Sequence, residues 1–235
     1  MAKSSVKDIR TRFDNDVERF SSLETGQRSF VDAEKILNRT TRAAAATMPS
    51  ATHLLDVGCG AGNYTLKFLE YGPGVHIDLV DLSQPMLDRA VERVEAATSG
   101  AVRPTQADIR ECDLEPERYD VILAAAVLHH LRTDAEWETV AAKFYEALCP
   151  GGALWVADLV DHGTPSVDNV MWNEYGMYLE ALDGAAYREE VFGYIEKEDT
   201  PRPLLEQISF FRRAGFRTAE ILHKNTTFAA FGVMK

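Results

Sequence analysis

Apolar residues open the chain at helical spacing: Val6, Ile9, Phe13, Val17 and Phe20 fall three and four positions apart and form one stripe. The stripe predicts a docking helix that needs an apolar partner, either elsewhere in the chain or on a second subunit, so a homodimer is one way to satisfy it. Ser21-Ser22 and Gly26 break the pattern, and a second helix is expected over 30–47, stopped by Met48-Pro49. From His53 the period changes. Short apolar runs at 53–57, 75–80, 101–107, 119–125 and 153–157 are interleaved with amphipathic stretches at 64–71, 85–97 and 135–148. Alternation of this kind builds an α/β fold, a doubly wound and mostly parallel sheet with helices on both faces. Several helix ends are legible. Ser83 precedes Pro85 as a cap, and Thr133-Asp134-Ala135-Glu136 is a capping box ahead of the stripe Trp137, Val140, Ala141, Phe144, Leu148. Cys149-Pro150-Gly151-Gly152 then stops that helix and turns the chain into the next strand.

Beyond Asp158 the alternation lapses into a stretch rich in aromatic and acidic residues, including Trp172, Tyr175, Tyr178, Tyr187, Phe192 and Tyr194. Two helices are expected there, over 167–182 and 185–197. A last amphipathic helix over 204–214 follows, then a strand from Gly215-Phe216 to about residue 222, a turn at His223-Lys224-Asn225-Thr226, and a closing strand over 227–234. The organisation is a single domain over 1–235: a helical N-terminal cover at 1–47, a core at 53–158, a helical lid at 159–200, and a C-terminal helix and hairpin at 201–235. No internal repeat is evident.

Composition narrows the function classes. With 235 residues, 46% apolar and 26% charged, the chain is an ordinary globular protein and neither disordered nor of low complexity. Its formal charge of −12 repels polyanions, so a nucleic-acid partner is disfavoured and a small-molecule substrate is expected. Cys59, Cys112 and Cys149 lie far apart with no metal-ligand spacing, which predicts reduced thiols, no metal and a cytoplasmic location. The N-terminus turns charged at once, and the longest strongly apolar run is the eight residues at 121–128, so neither a signal peptide nor a membrane span is expected.

The most informative stretch is Leu54-Leu55-Asp56-Val57-Gly58-Cys59-Gly60-Ala61-Gly62-Asn63, a buried strand running into glycines that open a helix. Glycines let the backbone turn sharply and approach a ligand closely. The loop is GxGxG where a dinucleotide fingerprint would be GxGxxG, and Asp56 stands two residues before its first glycine. A carboxylate there repels a pyrophosphate but can hold an ammonium group, directly or through water, which favours a cationic, amino-acid-bearing cofactor over NAD. Asp81 ends the second strand, where a carboxylate can accept both hydroxyls of a ribose. Asp108 ends the third, where it can accept from the exocyclic amine of an adenine. Ala124-Ala125-Ala126 ends the fourth, where small side chains leave carbonyls facing a ligand. Met86 either packs over the adenine or fills core beside Leu87.

Together these residues resemble the class I S-adenosylmethionine-dependent methyltransferases, through LLDVGCGAG, VDLS, ADI, YDVILAAAVLHHL and LCPGGALWVAD in the family's order over residues 54–157. The resemblance implies a Rossmann-like seven-stranded sheet with an antiparallel last strand. It implies S-adenosylmethionine as cofactor and S-adenosylhomocysteine as product, with Asp56 and Gly58 at the methionine end, Asp81 at the ribose, and Asp108 with Ile109 at the adenine. Cys59, Gly60, Leu82, Met86 and Ala125 complete the expected binding set. No catalytic residue is assigned: His129 and His130 follow the fourth strand and can serve either as proton acceptors or in packing and hydrogen bonding, while Asp158, Asp161 and His162 also fit a solvated loop. The lid aromatics either line an acceptor pocket or form a small core of their own. A fainter resemblance, through FDNDVERF, PGGAL, RRAGF and TTFAAFGVMK, is to carboxy-S-adenosylmethionine synthase and its tRNA wobble-uridine relatives. Arg188 and Arg202 are the arginines available for an extra carboxylate, but the loop here reads GCGAG where the synthase has GCSLG. A non-catalytic adenosyl-ligand sensor would carry the same motifs as an enzyme.

Overall fold

A computed structural model describes residues 3–22 and 27–235. Its centre is a sheet of β1 (His53–Val57), β2 (His76–Asp81), β3 (Val102–Gln106), β4 (Tyr119–Ala125), β5 (Leu148–Asp161), β7 (Thr218–Asn225) and β8 (Phe228–Met234). They lie in the order β3-β2-β1-β4-β5-β8-β7, and a two-residue strand, β6 (Arg202–Pro203), pairs with β5 off this path. Strands β1 to β5 run parallel, whereas β8 is antiparallel to both β5 and β7. The seven expected strands are all present, and β6 is an addition that its length hid. Strand β3 carries Pro104 and is mostly exposed, as suits an edge.

Alternate residues of β1 point to opposite faces, Leu54 into one core and Leu55 into the other. The first core lies beneath α3 (Ala33–Thr47), α4 (Asn63–Leu69), α5 (Gln84–Glu95) and part of the lid; the second lies beneath α6 (Asp134–Ala147) and α8 (Leu204–Ala214). The expected caps form: Ser83 accepts from the Met86 backbone N–H, and Thr133 and Glu136 make a reciprocal box. Gly232 is required by packing, since a Cβ there would sit 2.3 Å from the Trp155 ring. No helix among the described residues is long and apolar enough to cross a membrane.

Several boundaries depart from the sequence reading. The N-terminal stripe is two helices, α1 (Val6–Asn15) and α2 (Val17–Ser21), because Asp16 leaves helical geometry. Its expected break includes Gly26, which lies outside the described residues. The next helix starts at Ala33 rather than Phe30, since Asp32 takes a left-handed φ of 59°. Strand β7 continues through His223, Lys224 and Asn225, and the hairpin turns at Thr226-Thr227, with Thr226 at φ 45°. Strand β5 begins pairing at Leu148, loops out Cys149–Gly152, and then runs through Asp158 to Asp161, so Asp158 belongs to a buried strand and not to a solvated loop. The segment expected as a lid is α7 (Pro165–Glu198), kinked at Asp183 and Gly184, where the sequence predicts two helices to meet.

Candidate active site

Strand order reverses between β1 and β4, and open α/β sheets bind ligands in the crevice at the carboxyl ends of such strands. Here β1 ends in the glycine loop. Gly58, Gly60 and Gly62 hold φ values of 63°, 50° and 81°. A Cβ on Gly58 would meet Val127 at 2.7 Å, while one on Gly60 would meet nothing within 4 Å, so the loop packs tightly at its first glycine and stands open at its second. The N–H groups of Gly58 and Cys59 both donate to the Val80 carbonyl, at 2.7 and 3.2 Å, and tie the loop to β2.

Asp81 completes that tie. Its two carboxylate oxygens accept from the N–H groups of Gly60 and Ser83, each at 2.8 Å, so the carboxylate joins the loop to the start of α5. Burial pushes its carboxyl above the ordinary range against those hydrogen bonds. Asp56 lies beneath the loop, 1% exposed, and accepts from the Thr65 hydroxyl at 2.6 Å. Burial, with the charge of Asp81 in support, pushes Asp56 up to about 7. Asp108 is different. Burial would raise its carboxyl, but hydrogen bonds from Arg110 outweigh this and hold it low. One oxygen accepts from the Arg110 N–H and Nε, the other from Nη2, and Arg110 also reaches Glu136 at 2.8 Å. A carboxylate offers about four lone-pair sites. Three are thus engaged, and any further donor would share the group with Arg110.

Asp56, Gly58, Cys59, Gly60, Asp81, Leu82, Met86, Asp108, Ile109 and Ala125 all line one cavity of about 660 Å³. Met86 is 1% exposed, so it both fills core and forms cavity wall. The far end of the same cavity mixes apolar and aromatic side chains, Ile9, Phe13 and Phe20 from the N-terminal helices and Tyr175, Tyr187 and Tyr194 from the lid, with charged ones, among them Arg12, Arg19, Arg28 and Glu190. The lid aromatics therefore divide. Trp172 and Phe192 pack on each other at 5.7 Å between ring centres and hold Tyr175 from behind, forming a small core that presents the tyrosines. Of the N-terminal stripe, Ile9 is buried, and Val6, Phe13, Val17 and Phe20 are half-buried.

Side chains far apart in sequence close this end. Arg12 donates to the Glu198 carboxylate at 3.0 and 3.1 Å and to the Tyr194 hydroxyl at 2.5 Å, and its guanidinium lies over the rings of Phe13 and Tyr194 at 4.1 and 4.2 Å. The Ser4 N–H donates to the Lys197 carbonyl at 2.8 Å. Arg12 and Glu198 are absent from the sequence-derived reading, and Tyr194 enters it only as one of the lid aromatics, because nothing local to each residue marks a partner so distant.

Between the two ends sit His129 and His130, on a 3-10 turn (Leu128–His130) after β4, and Asp199 at the end of the lid. His129 Nδ1 contacts the carboxylate of Asp158, which is wholly buried and also accepts the His129 backbone N–H at 3.1 Å. Burial disfavours a charged His129, but Asp158 and Asp199 outweigh it and raise the imidazole to about 9. His130 is pushed below its ordinary value by burial and by its charged neighbour. Asp161 and His162 do not line the cavity; they group instead with Asp168.

Residues 55–154 match the family model described as "Methyltransferase domain". An uncharacterized methyltransferase of Geobacillus kaustophilus is 36% identical over 105 residues, 45% of this chain and 46% of the relative. Trans-aconitate 2-methyltransferase of Paracidovorax citrulli is 29% identical over 168 residues, 70% of this chain and 62% of the relative. The chain thus spans about half to three fifths of the length of these curated relatives. The crystal structure of Burkholderia thailandensis 1,6-didemethyltoxoflavin-N1-methyltransferase, with bound 1,6-didemethyltoxoflavin and S-adenosylhomocysteine, has the same fold, with a TM-score of 0.67 at 16% identity over 100% of this chain and 92% of that one. The match takes in the glycine loop and the strand-end acids Asp56, Asp81 and Asp108, and over residues 55–154 the chain carries a methyltransferase domain similar to those of the class I S-adenosylmethionine-dependent enzymes.

Proposed function

We propose that the protein transfers a methyl group from S-adenosylmethionine to a small-molecule acceptor by in-line displacement. The observation that carries this reading is the single cavity, with the glycine loop and strand-end acids at one end and an aromatic chamber at the other. When bound, the cofactor supplies a methyl group already activated on a sulfonium, so the residues around it have chiefly to align the acceptor and exclude water. Asp56 and Gly58 would hold the methionine end, Asp81 the ribose, and Asp108 with Ile109 the adenine, while Cys59, Gly60, Leu82, Met86 and Ala125 form walls. The open space at Gly60 and the carboxylate of Asp81 beside it suit such a ligand. N-terminal helices and lid, both lining the acceptor end, would act as a cover that keeps water from the reacting methyl.

A small acceptor is supported by the helices that line that chamber and by the net charge of −12. The carboxy-S-adenosylmethionine synthase reading has less support. Arg188 pairs with Glu180 at 2.7 Å, Arg202 pairs with Asp134 and Glu206 at 2.6 Å each, and neither arginine lines the cavity. The test is incubation with methyl-labelled S-adenosylmethionine and a metabolite extract, alongside a gel shift with mixed tRNA at low salt. Label should appear in a small-molecule fraction and the tRNA should stay unshifted. Tight binding of S-adenosylhomocysteine with no labelled product in any fraction would replace the enzyme with a sensor, and salt-sensitive tRNA binding would replace the small acceptor.

A further inference from the structure

The histidine pair holds more unused bonding capacity than a packing role needs. Asp158 takes His129 Nδ1 and is itself fixed by the N–H groups of His129 and Leu159, at 3.1 and 2.8 Å. The remaining ring nitrogen of His129, Nε2, lies 3.6 Å from Asp199 Oδ1, and His130 Nδ1 lies 3.2 Å from the same oxygen. These distances are short enough for attraction, yet His130 Nδ1, His130 Nε2 and Asp199 Oδ1 are all buried without a hydrogen-bond partner among the described residues. The Thr200 N–H donates to the His129 carbonyl at 2.7 Å and clamps the end of the lid against the turn. The arrangement is therefore held in place from outside, with its polar atoms facing one another off axis.

A cation at their common centre accounts for that geometry. Imidazole and carboxylate ligands at about 2.0–2.2 Å from an ion, at tetrahedral or octahedral angles, stand roughly 2.9–3.6 Å apart and do not point along each other's hydrogen-bond axes. The separations of 3.2 and 3.6 Å fall in that interval. The carboxylate on the far nitrogen of His129 is the usual outer partner of a metal-bound imidazole, setting its tautomer and orientation. Charge agrees as well: Asp158 and Asp199 bring two negative charges, while the nearby Arg12 is committed to Glu198. Two nitrogens and one oxygen suit zinc, cobalt, nickel or iron and not calcium or magnesium, which take oxygen ligands.

We propose that His129 Nε2, His130 Nδ1 and Asp199 Oδ1 form a binding site for one divalent first-row transition ion, facing the acceptor end of the cavity. Three protein ligands leave coordination positions open toward that chamber, and the class of acceptor that would occupy one carries a hydroxyl, enol or carboxylate oxygen near the atom to be methylated. The substrate class rests on the methyltransferase reading; the ion site stands without it.

The test uses the full chain, stripped with a chelator and titrated with Co²⁺, read by its visible ligand-field absorption and by competition with Zn²⁺. One ion per chain is expected. His130→Ala and Asp199→Asn should each weaken binding by at least about tenfold, whereas His162→Ala, in the separate Asp161–His162–Asp168 group, should not. S-adenosylhomocysteine calorimetry on the same samples reports whether each variant is folded. No absorption change at millimolar Co²⁺ in protein that still binds the adenosyl ligand overturns the site, as does unaltered binding in both ligand variants. Ion binding without adenosyl-ligand binding leaves the site standing and removes the methyltransferase reading.

Discussion

At the end of the cavity proposed to hold the cofactor, the glycine loop, Asp56 and Asp81 come from the ends of two adjacent strands, and backbone N–H groups fix Asp81 in place. At the end proposed for the acceptor, Arg12 meets Glu198 across 186 positions of sequence, and the walls are helices that belong to no strand-helix repeat. One end is held by the hydrogen bonding of the sheet and is in place before any ligand arrives. The other is held by a few ion pairs and ring contacts, each of which can be released without unpairing a strand. Local opening concentrates where buried contacts are fewest, so the two ends should respond differently to substitution and to ligand.

The largest effect is expected at Gly58. Gly58→Ala places a Cβ 2.7 Å from Val127 on backbone at φ 63°, and overpacking together with the left-handed backbone should cost about 2–5 kcal/mol. Thermal unfolding and adenosyl-ligand calorimetry should fall together; wild-type values in both would show that the loop is not the rigid element described. Next comes Asp81→Ala. Loss of a buried acceptor should cost about 1–3 kcal/mol of S-adenosylhomocysteine affinity. Calorimetry with NAD in place of the adenosyl ligand should show no binding to either protein.

The third effect is one of pH. Asp56, raised to about 7 by burial, holds a proton in the free protein below that value, and a cationic ligand favours its carboxylate. Affinity for S-adenosylmethionine should therefore rise with pH up to about 7 and level off above it, by up to about tenfold per unit below. Calorimetry in buffers of differing ionisation heat should detect a proton released on binding at acidic pH, and Asp56→Asn should abolish the release. The same raised value has a sign for stability. The unfolded chain loses this proton near the ordinary carboxyl value of 3.8 while the folded one keeps it, so the ligand-free protein loses stability as pH climbs from there to about 7. The smallest effect belongs to the acceptor end. Arg12→Ala removes the pair with Glu198 and two ring contacts, worth about 1–2 kcal/mol of local closure. Hydrogen exchange should quicken over residues 3–22 and 185–198 while adenosyl-ligand affinity stays within about twofold. An affinity loss as large as that of Asp81→Ala would erase the distinction between the two ends.

The same contrast separates what was legible in the sequence from what was not. The period of apolar residues, the caps at Ser83 and Thr133 and the order of the motifs are local signals, and they place the strands from β1 to β5 and all ten expected cofactor residues around one cavity. The kink at Asp183 and Gly184 was legible for the same reason. What escaped depends on partners. The sequence leaves Asp158 open between the end of the fifth strand and a solvated loop because only the fold shows it buried beneath His129, and the engagement of Asp108 by Arg110 is a matter of side-chain direction that spacing does not carry. The N-terminal stripe read as one helix because its apolar spacing continues across Asp16, although the backbone does not.

The short strand β6 has a consequence for how such a chain can change over time. Arg202 pairs with Val160 and Pro203 with Asp161, so the chain leaves β5 for the lid and returns to the point of departure. Neighbouring strands lie about 4.8 Å apart. Everything over residues 162–201 is therefore an excursion with adjacent ends, and its length and sequence can be exchanged while the register of the sheet stays as it is. A lineage can keep the strand-end loops as they are and reshape the lid's share of the cavity wall by replacing that one segment.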